Sequence, residues 1–196
     1  MGNKNKSLIS TLSLITFSIS LSIVIATSAI SKSHIALAQT VNKLETYQNS
    51  SYGIRIQYPS NWEKQENGTK QDTQTNVVTF FPPASNASFD IAIDDITDEK
   101  GITISQYSGN SIDDLKQSAK DFKLVESSTT GIFLAGSPAY KLVYTSTDQT
   151  NSLRTMEIGA IKDNKAFVVT YEAGAAEYDK YLPAILGMIS SFTITR

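Results

Sequence analysis

Leu153-Arg154-Thr155-Met156-Glu157-Ile158-Gly159-Ala160-Ile161, followed by Lys162-Asp163-Asn164-Lys165 and then Ala166-Phe167-Val168-Val169-Thr170-Tyr171, is the stretch on which the fold turns. Two runs rich in β-branched and aromatic residues flank Asp163-Asn164, a pair that tolerates the left-handed backbone of a tight hairpin. The stretch predicts two antiparallel strands, Leu153–Ile161 and Ala166–Tyr171. Outward from it, Ala139–Thr145 and Lys123–Thr129 read as further strands, with Ile132–Leu134 as part of a turn. Nearer the N-terminus, Tyr52, Ile54, Ile56 and Tyr58 alternate with Gly53, Arg55 and Gln57 up to Pro59, the period of a half-buried strand. Trp62 falls at a strand start or turn, and Glu63–Asn76 is polar. Val77–Phe81 makes a strand stopped by Pro82-Pro83; Phe89, Ile91 and Ile93 then alternate with Asp90, Ala92 and Asp94.

Helical spacing occurs twice. Ser111-Ile112-Asp113-Asp114 reads as a capping box, and Ile112, Leu115, Ala119 and Phe122 recur behind it, which predicts a helix over about 112–121. Tyr178, Leu182, Ile185, Ile189 and Phe192 define one face of a C-terminal helix, with a break expected near Leu182 because Pro183 lacks an N–H. Strands without β-α-β alternation, with helices before and after, indicate an α+β domain in which helices cover an antiparallel sheet. No internal repeat is visible.

The 196-residue chain divides by composition into residues 1–38, a polar linker over 39–51, and one domain over 52–196. Lys4 and Lys6 precede an uncharged stretch from Leu8 to Ile30, and Ala36-Leu37-Ala38 stands before Gln39, the layout of a secretory signal. The rival reading is an uncleaved anchor, since 23 uncharged residues are enough to span a bilayer, but nine of them are Ser or Thr. Either reading places residues 39–196 outside the cytoplasm, with membrane contact only through residues 8–30 if they are retained. Asn49, Asn67 and Asn86 each begin an Asn-x-Ser/Thr triplet, open to glycosylation if the organism modifies exported proteins.

Charge and composition exclude several functions. Lys4, Lys6 and Lys32 account for three of the 17 basic residues, which leaves 14 against 19 acidic ones after residue 38, a formal charge of −5. A modestly acidic domain without a basic cluster lacks the means to neutralise phosphates, so nucleic acid is not an expected partner. Cysteine is absent and the single histidine, His34, precedes residue 39. Disulfides, thiolate-metal sites, thiol nucleophiles and Ser-His-Asp arrangements are thereby excluded from the domain. No phosphate-cradling or dinucleotide-binding glycine loop occurs, and no cofactor is expected.

Two groups of residues are candidates for a site. Asp90, Asp94, Asp95, Asp98 and Glu99 form the one acidic concentration, and a hard cation such as calcium takes six to eight oxygens. Asp90 and Asp94 lie about 13 Å apart along a strand at about 3.3 Å per residue, which leaves Asp94, Asp95, Asp98 and Glu99 as the candidate calcium ligands, against the plainer reading of a solvated acidic turn. Tyr58 and Trp62 are the candidate aromatic docking pair, against a place in the core.

Tyr52-Gly53-Ile54-Arg55-Ile56-Gln57-Tyr58-Pro59 with Trp62, Gly136-Ser137-Pro138-Ala139-Tyr140, Lys165-Ala166-Phe167-Val168-Val169-Thr170-Tyr171 and Ile189-Ser190-Ser191-Phe192 together resemble the PsbP-like family in order and spacing. The resemblance implies an αβα sandwich around an antiparallel sheet of about six strands. Its members include an extrinsic lumenal subunit of photosystem II and a nuclear protein that binds the GTPase Ran, so it implies a protein partner. No residue of theirs for calcium or chloride carries over to a matching position here. The expected function is that of an exported, non-enzymatic binding or assembly module that docks on a larger, membrane-associated partner. A calcium-binding extracytoplasmic protein and a small-ligand carrier are the alternatives.

Overall fold

The computed structural model describes residues 43–71, 73–149 and 151–195. The expected export signal, with His34, lies outside the described residues. No helix among them is long and apolar enough to cross a membrane.

The chain runs β1 (Leu44–Asn49), β2 (Ile54–Pro59), β3 (Glu63–Gln71), β4 (Gln74–Phe81), β5 (Ser88–Asp95), α1 (Ile104–Ser118), β6 (Lys123–Ser128), β7 (Phe133–Leu134), β8 (Ser137–Asp148), β9 (Asn151–Lys162), β10 (Lys165–Gly174), α2 (Tyr178–Ser191) and β11 (Thr193–Ile194). The main sheet has the order β3-β4-β5-β10-β9-β8-β6, with β7 added to one end of β8, and β1-β2-β11 form a smaller sheet. Every pairing is antiparallel. The hairpin across Asp163-Asn164 is present, with β9 and β10 in the expected pairing. Lys162 faces Lys165, and Asp163 and Asn164 both take positive φ, the backbone of a two-residue turn that matches strand twist.

The α+β class and the antiparallel sheet follow the expectation; the strand count does not, since the main sheet has eight strands rather than about six. Segments too polar to show alternation supply β3 to the main sheet and β1 to the smaller one. Leu44–Asn49, read as linker, pairs with β2 from Leu44↔Pro59 to Asn49↔Ile54. The polar Glu63–Asn76 supplies β3 and the start of β4. β3 is an edge strand, and an edge wet on both faces carries no period-two signal. Helix α1 begins eight residues earlier than expected, at Ile104. Thr103 caps it, accepting from the Gln106 N–H while the Gln106 side chain accepts from the Thr103 N–H. Ser111 is interior to that helix. Helix α2 runs unbroken through Pro183. The apolar positions on both sides of that proline, Tyr178 before it and Ile185, Met188 and Phe192 after it, are all buried, and that burial outweighs one missing helical hydrogen bond.

The strand pleat assigns the two helices to opposite faces. Along β8, Ala139 and Val143 join the larger core with Phe80, Phe89, Ile91, Phe167, Val169 and Tyr171, against which α2, β1 and β2 pack. Tyr140, Leu142 and Tyr144 point the other way and join Leu115 beneath α1. One outer layer is therefore α1, and the other is α2 together with the small sheet. Within the α1 face, Tyr140 stands directly opposite Gly159 on β9, and its ring occupies the space where a side chain at 159 would begin. Gly159→Ala drives a methyl into a fully buried ring and is expected to cost about 1–3 kcal/mol, read as a lower denaturant midpoint with an unchanged slope. A loss below about 0.5 kcal/mol would show that the ring is not fixed there.

Candidate docking surface

The residues singled out as metal ligands are separated by the pleat of β5. Asp94 turns towards α1 and is buried, with Oδ2 accepting from the Tyr107 hydroxyl at 3.2 Å. Asp95, the next residue, is exposed and accepts from the backbone N–H and the hydroxyl of Thr97, at 3.1 and 2.6 Å. These bonds hold its carboxyl below the usual range. Asp98 is exposed, and Glu99 is half-buried. Burial, reinforced by the charge of Asp94, pushes the Glu99 carboxyl up. The structure does not bring the four together: among the described residues no three of His, Cys, Asp and Glu are grouped to hold a metal ion.

Tyr58 and Trp62 are each 7% exposed and belong to the core. Tyr58 packs on Phe80 and donates to Glu45 at 3.0 Å, and Trp62 meets the edge of Tyr181 on α2. The plainer reading of this pair is correct. Tyr58 at the inward face of β2 and Trp62 in the turn behind it are consumed in packing against the sheet and α2, and leave no aromatic surface between them.

A second set of acids faces α1 from three adjacent strands: Glu157 is buried, and Asp90 and Glu172 are half-buried. Each is satisfied locally: Asp90 accepts from Thr79 at 2.6 Å and Ser88 at 2.9 Å, Glu157 from Tyr140 at 2.5 Å and Ser111 at 2.9 Å, and Glu172 from Thr155 at 3.2 Å. Burial pushes all three carboxyls up, against the lowering effect of those hydrogen bonds. Burial and the neighbouring Glu157 charge push the Tyr140 hydroxyl up as well. In sequence these acids alternate with apolar residues and look like the solvated side of a strand.

The exposed apolar surface lies elsewhere, along α2. Ile132-Phe133-Leu134 turns into β8 through Ala135 and Gly136, both at positive φ. Alternation over this short strand buries Leu134 and leaves Phe133 64% exposed. On α2, Ile185 fills the core, while Leu186, one position and about 100° further round the helix, is 49% exposed. Phe133, Ala135, Leu186, Ile189 and Phe192 wall an open groove of about 490 Å³. On the other flank of α2, Leu44, Pro59, Ala184 and Met188 line a second hollow of about 240 Å³. The end of α2 is held against β2: the Gln57 N–H donates to Ser191 Oγ at 2.9 Å, and Ser191 donates to the Met188 carbonyl. One wall of the groove is thereby tied to the small sheet. Its sequence signal was Leu186, an apolar residue off the buried stripe of an amphipathic helix.

The profile of PsbP-like proteins matches residues 12–194, nearly the whole chain. The chain belongs to the PsbP-like family. Among solved structures, this PsbP-like protein is similar to cyanobacterial PsbP (CyanoP) from Synechocystis, with 15% identity over 80% of this chain and 95% of that one and a TM-score of 0.60. It is also similar to LpqN of Mycobacterium tuberculosis, involved in cell envelope biogenesis, at 11% identity, 73% and 83% coverage and a TM-score of 0.55. The Ran-binding protein Mog1p of Saccharomyces cerevisiae has 8% identity, 78% and 96% coverage and a TM-score of 0.53. At these identities the likeness is one of fold. No curated protein matches the chain.

The buried acids of this PsbP-like protein fix the sign of its pH dependence. A carboxyl raised in the folded state keeps a proton that the unfolded chain has released, so stability falls as pH rises from about 4.5, the ordinary value for Glu157, through its folded-state value. Glu157→Gln keeps one oxygen to accept from both Tyr140 and Ser111 without a charge to bury. Its melting temperature is expected to pull ahead of the parent between pH 4.5 and 8, and parallel melting curves across that range would contradict the assignment.

Proposed function

We propose that this chain works outside the cytoplasm as a non-enzymatic docking module that grips a larger protein through the apolar surface along α2. The observation that carries the reading is the pair Phe133 and Leu186, two large apolar side chains left exposed on either side of one groove. Scattered apolar residues on a surface need no explanation, but a groove walled by several of them marks an interaction site. A buried aromatic removes about 150 Å² from water, worth about 4 kcal/mol at about 25 cal/mol/Å². One such anchor offsets much of the cost of immobilising a partner.

The groove opens to solvent, which suits an intruding side chain or helix from a protein better than an enclosed small molecule. Family membership supports the same reading, as does the Ran-binding description of Mog1p, a similar fold. The uncharged stretch from Leu8 to Ile30, read as an export signal or anchor, supports an extracytoplasmic place of work at a membrane.

Capture from solubilised membranes tests the proposal, with the full chain as bait and the double variant F133D/L186E as control. The parent is expected to retain a defined protein that the variant recovers at least ~10-fold less well, equivalent to about 1.4 kcal/mol. Both positions are exposed, so the melting temperature should hold within about 2 °C. Equal recovery by the two baits would remove the α2 surface from the mechanism.

A further inference from the structure

The two edges of the main sheet are unlike each other. β3 is polar throughout, Glu63-Lys64-Gln65-Glu66-Asn67-Gly68-Thr69-Lys70-Gln71, and offers a further strand no large apolar side chain to pair with. β6, at the opposite edge, reads Lys123-Leu124-Val125-Glu126-Ser127-Ser128. Leu124 is 42% and Val125 56% exposed, and among the described residues no strand pairs with its outer side. An edge strand with free backbone groups and apolar side chains is a template for another strand.

The charges of β6 select the occupant. β6 carries a bulge at Val125: Lys123 faces Thr145 and Glu126 faces Val143, with Leu124 opposite Tyr144 between them. Thr145 and Val143 are two apart on β8, so Lys123 and Glu126 lie on one face of the sheet, although they are three apart in sequence. Without the bulge they would lie on opposite faces. In an antiparallel pair, directly opposed residues share a face. A second β6 placed antiparallel about the midpoint of Leu124 and Val125 therefore sets Lys123 of each strand opposite Glu126 of the other, with Leu124 opposite Val125. Lys123 has no ion pair among the described residues, and Glu126, 47% exposed at its side chain, meets Lys141 through both oxygens at 2.8 and 2.9 Å.

We propose that β6 pairs with β6 of a second copy of this chain, giving a two-fold dimer with a continuous sheet. The strand is self-complementary in charge and in apolar content, which an isologous two-fold contact requires. This contact lies on the free edge of the main sheet and does not depend on the α2 groove.

Sedimentation equilibrium of the full chain, in a detergent matched in density to the buffer, tests it. The parent is expected to show a monomer–dimer equilibrium. Lys123→Glu opposes two glutamates across the axis and should weaken it at least ~10-fold, and Val125→Lys should do the same by placing charge at the centre. The double exchange K123E/E126K restores opposite charges and should recover most of the dimer, an outcome that a merely structural role for either residue would not produce. A parent that stays monomeric at ~100 µM, a concentration at which weak specific contacts are populated, leaves the edge to a foreign strand and overturns the proposal. A dimer indifferent to K123E, or a double exchange no better than the single one, overturns it equally.

Discussion

Glu157 holds α1 onto the sheet, and much of the architecture on that side depends on how its charge is accommodated. The carboxylate lies at the middle of β9 with Tyr140 on one side and Ser111 of α1 on the other, both donating to Oε1. Helix α1 has little else to attach it: Leu115 and Ser108 are its buried residues, with Ile104, Tyr107 and Ile112 half-covered. Tyr107 adds a second polar tie to Asp94. A buried acid without donors would cost several kcal/mol, so these hydroxyls and the acids they serve are structurally inseparable. The vacancy at Gly159 follows from the same arrangement, because the Tyr140 ring that reaches Glu157 crosses the strand at the point where a side chain would stand.

The opposite face is held by a different kind of force. Helix α2 buries Tyr178, Ile185, Met188 and Phe192 against β2 and β10, and Tyr171 donates to the Tyr178 carbonyl at 2.7 Å to fix the helix start. This packing is apolar and extensive, and it fixes a helix whose next turn of surface, around Leu186, is apolar as well. A helix needs only one stripe to bury itself in its own domain. The surplus on α2, matched by Phe133 across the groove, is what gives this side of the molecule a surface suited to a partner.

The two faces also account for the fate of the residues that looked functional in the sequence. Asp94 and Asp95 are adjacent in the chain, but a pleated strand sends neighbours to opposite sides, so one acid became a buried partner for Tyr107 and the other an exposed turn cap. Tyr58 and Trp62 belonged to the inward face of β2 and to the turn behind it, and burial took both. Glu157, which the fold encloses, and Asp90 and Glu172, which it half-covers, sat in strands at positions where alternation suggested water.

The sequence by itself determined the α+β class, the β9–β10 hairpin, the strands with period-two burial and the helical stripe of α2, because in each of these the side chains alternate at the period of the element that buries them. It did not determine β1, β3 or the first turns of α1: edge strands and capped helix starts are stabilised by pairing and by backbone hydrogen bonds rather than by a visible apolar pattern. Only the tertiary structure decided that Glu157 is dry, that Leu186 and Phe133 share a groove, and that the bulge in β6 puts Lys123 and Glu126 on one face. Each of those facts depends on which strand or helix lies alongside, and adjacency between elements distant in the chain is not written in any local stretch of residues.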